Sequence, residues 1–213
     1  MGKKFFYAFL GLCVSLFLLS SCNGALKSIT GRQLDNKEDI EYALNLIKEA
    51  AKKKKVPEAS IDGTGKKLEN LIEYVSIYDL SDNNEVSRQT IGVGTGTINS
   101  YEPSSVHNSE VNTSRRDPAA TPGIDPAILN ATLLMQVLEK SKKILAEEFP
   151  EYTFKVVGSY TFEIDGWSYK KGGKTIGELV LHVTKKSDSQ YTSGYYYEVK
   201  FRFDAEGNVK LVD

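Results

Sequence analysis

Apolar and polar side chains alternate over long stretches of the C-terminal half of this chain. Tyr152, Phe154, Val156, Tyr160, Phe162 and Ile164 are interleaved with Thr153, Lys155, Ser159, Thr161 and Glu163. The alternation returns at Leu179, Leu181 and Val183, then at Tyr195, Tyr197, Val199, Phe201 and Phe203, and in short form at Val209 and Leu211. A period of two places successive side chains on opposite faces, so the pattern predicts antiparallel strands with one buried face and one wet face. Asp165-Gly166 and the run Asp204 to Asn208 have turn chemistry. A short strand over Trp167 to Tyr169 is expected after the first of these turns.

Helical spacing governs two other segments. Ile40, Ala43, Leu44, Ile47, Ala50 and Ala51 fall on one helical face, with Asn36 as the N-cap and Asp39 three positions on as a capping-box partner. Lys52 to Lys55 close this helix and Pro57 ends it. The lysine run reads as a solvated helix end that complements the C-terminal dipole, with attraction to anionic head groups as the rival reading. A second helix is expected from Asp125-Pro126, an N-cap carboxylate followed by proline at the first helical position. Ile128, Leu129, Leu133, Val137, Ile144 and Leu145 give it a broad apolar stripe, widened by Leu134 and Leu138, and Pro150 stops it.

Between the helices the pattern is mixed. Leu68, Leu71, Ile72 and Val75 fit a helix, whereas Ile72, Tyr74, Tyr78 and Leu80 fit one face of a strand. The β-branched and aromatic content from Tyr74 onward favours a strand, with Ser81 to Glu85 as a turn and Val86 to Val93 as its partner. Gly94 to Gly123 has few large apolar residues and reads as a long loop. The fold class is therefore α+β, two helices packed on an antiparallel meander sheet. The element order resembles cystatin-like or related envelope folds. It also allows two sub-units, 36–96 and 125–213, joined by the loop 97–124, each with a helix before its strands.

The N-terminus has a different character. Lys3 and Lys4 precede an uncharged apolar run from Phe5 to Leu19, the pattern of a secretory signal over residues 1–21. The apolar run is short for a membrane span of about 20 residues. Leu19-Ser20-Ser21-Cys22 resembles the lipobox of bacterial lipoproteins. That resemblance implies cleavage before Cys22, a diacylglyceryl thioether on its sulfur and an acyl chain such as palmitate on its amine. Three acyl chains exceed what stable anchoring needs, at about 0.8 kcal/mol per buried methylene. Asn23 follows the cysteine, with neither the aspartate of inner-membrane retention signals nor an acidic run. The resemblance thus implies a cell-envelope protein on the outer membrane, facing the periplasm, with residues 22–35 as a tether.

Charge and chemistry narrow the function classes. Removing Lys3 and Lys4 leaves 25 basic against 28 acidic residues, a net charge of about −3. That argues against nucleic acid as a partner, because such binding needs a basic footprint. The cysteines are Cys13, inside the signal, and Cys22, taken by lipid. No disulfide remains, and a chain of about 190 residues must rely on an apolar core. His107 and His182 are the only histidines. No paired-ligand spacing accompanies them, so no metal site is expected. Gly92, Gly94 and Gly96 lack the third glycine and the lysine of phosphate-binding loops and read as a strand exit. No nucleophile elbow or acid/base pair appears, so neither a catalytic residue nor a cofactor is assigned.

One constellation remains. On the strand phase opposite the core lie His182, with Thr184, on one strand, and Tyr196, Glu198, Lys200 and Arg202 on another. These form a candidate partner-binding surface, with Tyr196 and Arg202 as its expected anchors. Its bland counterpart is a solvated sheet face whose charges keep the protein soluble. Trp167, Tyr169 and the run Tyr191 to Tyr197 offer an aromatic platform, although Tyr195 and Tyr197 belong to the core by phase. The first functional expectation is a lipid-anchored envelope binding or accessory protein without catalysis, engaging a protein or peptide partner. The alternatives are an envelope hydrolase or other enzyme with its site around His107 in the 94–123 loop, and an inhibitor or immunity-type protein; should the sheet face not bind the partner, His107, Arg115 and Arg116 of that loop are the next candidates.

Overall fold

The computed structural model describes residues 31–64, 69–82, 85–93, 104–107, 121–166, 173–187 and 196–212. The elements are α1 (Lys37–Ala51), β1 (Glu58–Gly63), β2 (Ile72–Leu80), β3 (Val86–Gly92), β4 (Ser104–His107), a 3-10 turn (Pro126–Ile128), α2 (Ala131–Glu148), β5 (Tyr152–Ile164), β6 (Thr175–Lys185), β7 (Tyr197–Phe203) and β8 (Val209–Leu211). All eight strands join one sheet in the order β4-β3-β2-β1-β5-β6-β7-β8, every neighbour antiparallel. The α+β class expected from the sequence is what the chain adopts. Each half runs helix then four strands, and the halves meet where β1 pairs with β5.

Both helices lie on one face of this sheet. α1 packs on β1 and β2, α2 on β5 and β8, and the helices touch each other. Their apolar stripes meet the strand residues of one phase: Ala59, Ile61, Val75, Ile77, Val157, Tyr160, Phe162, Leu179, Leu181, Val183 and Phe201, all essentially inaccessible to solvent. A smaller cluster of Leu80, Val86 and Ile164, with Tyr78 against it, closes one end of the sheet. The alternation in β6 and at Phe162 and Phe201 therefore gave the buried face correctly.

Several expectations need correction. Tyr74, Tyr78 and Leu80 do share one face of β2, but Val75 and Ile77 are the residues turned toward the helices. Two bulges, between Phe154/Val156 and Val157/Ser159, break the alternation in β5. Val156 is thereby set opposite His182, away from the helices, and Val157 takes the core phase. The amide freed there is not lost, because Val157 N–H donates to Asn70 Oδ1 at 2.9 Å. Tyr197 is 47% exposed despite its core phase, since β7 runs beyond the cover of α2 at that end.

Helix boundaries also moved. Asp125 caps only the 3-10 turn, and α2 starts at Ala131, where Asn130 accepts from Thr132 N–H and Leu133 N–H. In α1 the cap is as expected, with Asn36 accepting from Glu38 N–H and Asp39 N–H. The carboxylate of Asp39 accepts instead from Gln33 N–H and faces Arg32 at 3.3 Å. Residues 32–34, expected to be part of a tether, belong to the fold instead. Gln33 bridges Leu71, Arg32 O accepts from Ile72 N–H, and Leu34 is fully buried. Part of the expected 94–123 loop is strand, because Ser104–His107 pairs with β3. The strand expected over Trp167 to Tyr169 lies outside the described residues.

Candidate functional site

The sheet face turned away from the helices is the surface these elements leave open. Its side chains follow from register. At one level Arg88, Tyr78, Glu58, Glu163 and Ile176 succeed one another across β3, β2, β1, β5 and β6. At the next come Thr90, Ser76, Ser60, Thr161, Glu178, Arg202 and Lys210. The third level holds Tyr74, Asp62, Ser159, Val180 and Lys200, and the fourth Val156, His182 and Glu198. A level of small hydroxyl residues on β1, β2, β3 and β5 thus runs between two levels that carry tyrosines and carboxylates. In that level Ser76 is fully buried and accepts from Arg88 Nη2.

Electrostatics differ between the centre and the outer strands. Asp62 accepts from Ser60 Oγ–H at 2.5 Å, yet burial raises its carboxyl above the ordinary range, with Ser60 and Arg88 acting against that and Glu73 adding to it. Glu163 is raised for the same first reason, then by Glu178 beside it, with Arg202 lowering it and Asp165 raising it. Glu58 stands directly opposite Glu163 in the β1–β5 register. Burial also lifts the phenols of Tyr74 and Tyr78. Arg88 lies over the Tyr78 ring, 5.4 Å from its centroid, and its Nη2 donates to Ser76 Oγ at 2.9 Å. Lys200, Arg202 and Lys210 stand exposed on the outer strands.

The residues singled out from the sequence do share this face, but not as one exposed patch. Glu198, Lys200 and Arg202 are exposed on β7, and Tyr196 is half-buried just before it. His182 is the correction: only 4% of it is accessible. Tyr196 covers it, ring stacked on ring at 4.0 Å and 22°. Gly158 leaves room for the imidazole on the other side, since a Cβ there would meet Nε2 at 2.5 Å. Glu198 Oε1 is 3.8 Å from Nε2, too far for a hydrogen bond. Burial depresses the imidazole below its ordinary 6.5, and Glu198 only partly offsets this. His182 is therefore a neutral, covered side chain that holds Tyr196 in place, and the partner-facing groups are its neighbours.

His107 pairs in register with Arg88 at the β3–β4 edge. Cys22, Arg115, Arg116, Trp167, Tyr169 and the run Tyr191 to Tyr195 lie outside the described residues. Among the described residues no group of three His, Cys, Asp or Glu side chains could hold a metal ion, and no helix is long and apolar enough to cross a membrane. A separate groove of about 410 Å³ lies between the end of α2 and the β7–β8 edge, walled by Phe149, Tyr152, Tyr197, Val199 and Leu211. It accounts for the exposure of Tyr197, whose ring meets Tyr152 edge-on at 5.3 Å.

Sequence reasoning missed Ser60, Asp62, Tyr74 and Tyr78. The alternation of Tyr74, Ser76 and Tyr78 against Val75 and Ile77, and of Ser60 and Asp62 against Ala59 and Ile61, was the signal that would have found them. Comparison with family models, with curated proteins and with solved structures returns no match to this chain.

Proposed function

We propose that this protein is a lipid-anchored binding or accessory module of the cell envelope, which engages a protein or peptide partner through its open sheet face and performs no catalysis itself. The observation that carries this reading is the asymmetry of the sheet. Two helices cover one face, and the other holds tyrosines, hydroxyls and charges in a layout fixed by strand register. Clusters of this composition mark recognition surfaces, with Tyr and Arg as the usual anchors. The lipobox-like Leu19-Ser20-Ser21-Cys22 supplies the anchor. Because the fold already includes Gly31, the linker from Cys22 spans at most about 30 Å when fully extended. A domain so tethered works close to the bilayer, on the outer membrane with its face in the periplasm. In fold we read the helix-then-meander order of each half as related to cystatin-like envelope folds, which by itself assigns no function.

The test has two arms. Cys22→Ala should abolish lipid labelling and release the protein from the membrane fraction, whereas unchanged labelling would end the lipoprotein reading. Tyr74→Ala/Tyr78→Ala and Tyr196→Ala/Arg202→Ala variants should stay folded and membrane-bound, yet lose the partner that crosslinking in the native envelope captures. Full capture by both variants would remove the open face as the docking surface.

A further inference from the structure

We propose that the protein stands on its membrane by one end of the sheet, the end where β5 and β7 begin. There the aromatic groove between α2 and the β7–β8 edge is seated in the headgroup zone of the bilayer. This rests on the lipid-anchored reading and adds which surface meets the lipid.

Topology sets the two ends of the sheet apart. Antiparallel pairing from β2 through β1, β5 and β6 to β7 brings the starts of β2, β5 and β7 to one end. The chain enters the fold at that end too. Gln33 bridges Leu71, Arg32 O accepts from Ile72 N–H, and Leu34 N–H donates to Asn70 O. The side chain of Asn70 in turn accepts from Val157 N–H. β5 begins well before Val157, at Tyr152, so the groove stands farther out than the point of entry.

The opposite end carries the lysine run of α1, because Leu80 N–H, at the close of β2, donates to Lys55 O. From Ile72 to Leu80 the strand covers roughly 26 Å by the usual rise. The linker from Cys22 to Gly31 reaches at most about 30 Å when fully stretched. Bringing the lysine end to the bilayer would therefore extend that linker almost completely, at a cost in chain entropy. Lysines of this run are also engaged within the protein. Lys52 meets Glu49 at 2.5 Å, and Lys54 meets Asp79 at 2.7 Å. The groove end needs no stretched linker.

Surface chemistry favours the same end. Among the described residues two large aromatic side chains are exposed, Tyr197 and Tyr42. Tyr197 walls the groove together with Phe149, Tyr152, Val199 and Leu211. Tyr42 lies beneath the Arg32 guanidinium, 3.7 Å from its ring centroid, and so marks the point of entry. Tyrosine joins an apolar ring to a polar hydroxyl and settles at membrane–water interfaces, with arginine as a frequent companion. At the groove end the exposed Lys155 and Lys186 are matched by the exposed Glu148 and Glu151. Contact therefore draws on aromatic burial and not on net charge, and a neutral bilayer suffices. A weak intrinsic affinity is enough, because the anchor holds the groove at high effective concentration. The strands then run roughly along the bilayer normal, and the open sheet face looks sideways, clear of the lipid.

The test uses the full-length lipidated protein in phosphatidylcholine vesicles whose headgroups carry a nitroxide. With Cys13 removed alongside the signal and Cys22 acylated, an introduced cysteine is the one free thiol. Glu151→Cys at the groove end and Lys53→Cys at the other, both exposed positions, each receive a fluorescent label. Mass spectrometry reads the acyl chains first; their absence would remove the lipoprotein reading and the proposed seat with it. With the chains present, quenching at position 151 should be at least threefold that at position 53, and added anionic lipid should leave the ratio unchanged. Tyr197→Ser alters an exposed side chain, so its urea midpoint should match that of the unaltered protein. It should at least halve the quenching at position 151. Equal quenching at both positions would show a freely tumbling domain, and stronger quenching at position 53 would make the lysine run the membrane face. Either result overturns the seat while the anchor stands. So would quenching at position 151 that needs anionic lipid, or that Tyr197→Ser leaves unchanged.

Discussion

A single residue, His182, shows how far strand phase reaches toward function. Its phase was legible: it belongs with Glu198, Lys200 and Arg202 on the face away from the helices. Its burial was not, because nothing in the sequence shows that Tyr196 folds back over it or that Gly158 opens space beneath it. Burial gives the imidazole a pH signature. Its folded pKa lies below the unfolded value of 6.5, so the unfolded chain takes up the proton first as pH falls. The stability it contributes is therefore complete above pH 6.5 and is lost as pH drops below that value toward the folded pKa. The raised carboxyls of Asp62 and Glu163 act with the opposite sign: their contribution is present at low pH and is lost as pH rises through their folded pKa values. Urea unfolding of the native protein and of His182→Phe should isolate the histidine, since both carry the same carboxylates. The difference in stability between pH 7.5 and pH 5.5 should be larger for the native protein, by at most about 1.4 kcal/mol, because pH 5.5 lies only one unit below the unfolded pKa of 6.5. Equal pH dependence in the two proteins would show that His182 is not held neutral by burial.

At the scale of elements, the sequence was most legible where one mechanism acted alone. In β6 Leu179, Leu181 and Val183 mark the buried face at a period of two, and α1 shows both its stripe and its cap. It was least legible where a second mechanism intervened. The Asp125-Pro126 signal is real local chemistry, and Asp125 does accept from Ala127 N–H. The turn it starts ends within three residues, however, and Asn130 begins the helix proper. A bulge in β5 is equally invisible in composition, because the residue that stabilises it, Asn70, lies 87 positions away in the chain. The helix start can be tested by capping energetics. Asn130→Ala should destabilise the protein by about 1 kcal/mol, the usual cost of losing an N-cap side chain. Asp125→Ala should cost less, since it caps only a short turn. Chemical denaturation of the two variants decides the order, and the reverse order would return the helix start to Pro126.

For the whole molecule, the decisive fact is the pairing of β1 with β5. Reading the chain in order leaves two units, each a helix followed by strands, and no local pattern reveals that their first strands lie side by side. That pairing also explains why only part of the candidate site could be read. The outer strands carried Glu198, Lys200 and Arg202 in plain alternation, but the open face joins Tyr74 and Asp62 of one half to Glu163 and Glu178 of the other. Sequence period fixes which face a residue takes; register alone fixes its cross-strand neighbours. One sheet and one shared core imply one cooperative unfolding unit. Ile61 on β1 and Phe162 on β5 are both fully buried in that core. An aspartate at either position buries a charge without a partner, which costs several kcal/mol or forces neutralisation. Ile61→Asp should therefore collapse the C-terminal strands as well as its own, and Phe162→Asp should do the same to the N-terminal half. Hydrogen exchange read separately at β2 and β6 is the measurement. Protection lost together in both strands, in either variant, is the expected result. Retention of β6 protection in Ile61→Asp would show that the halves fold independently, and the β1–β5 pairing would then be a contact between two domains rather than the centre of one.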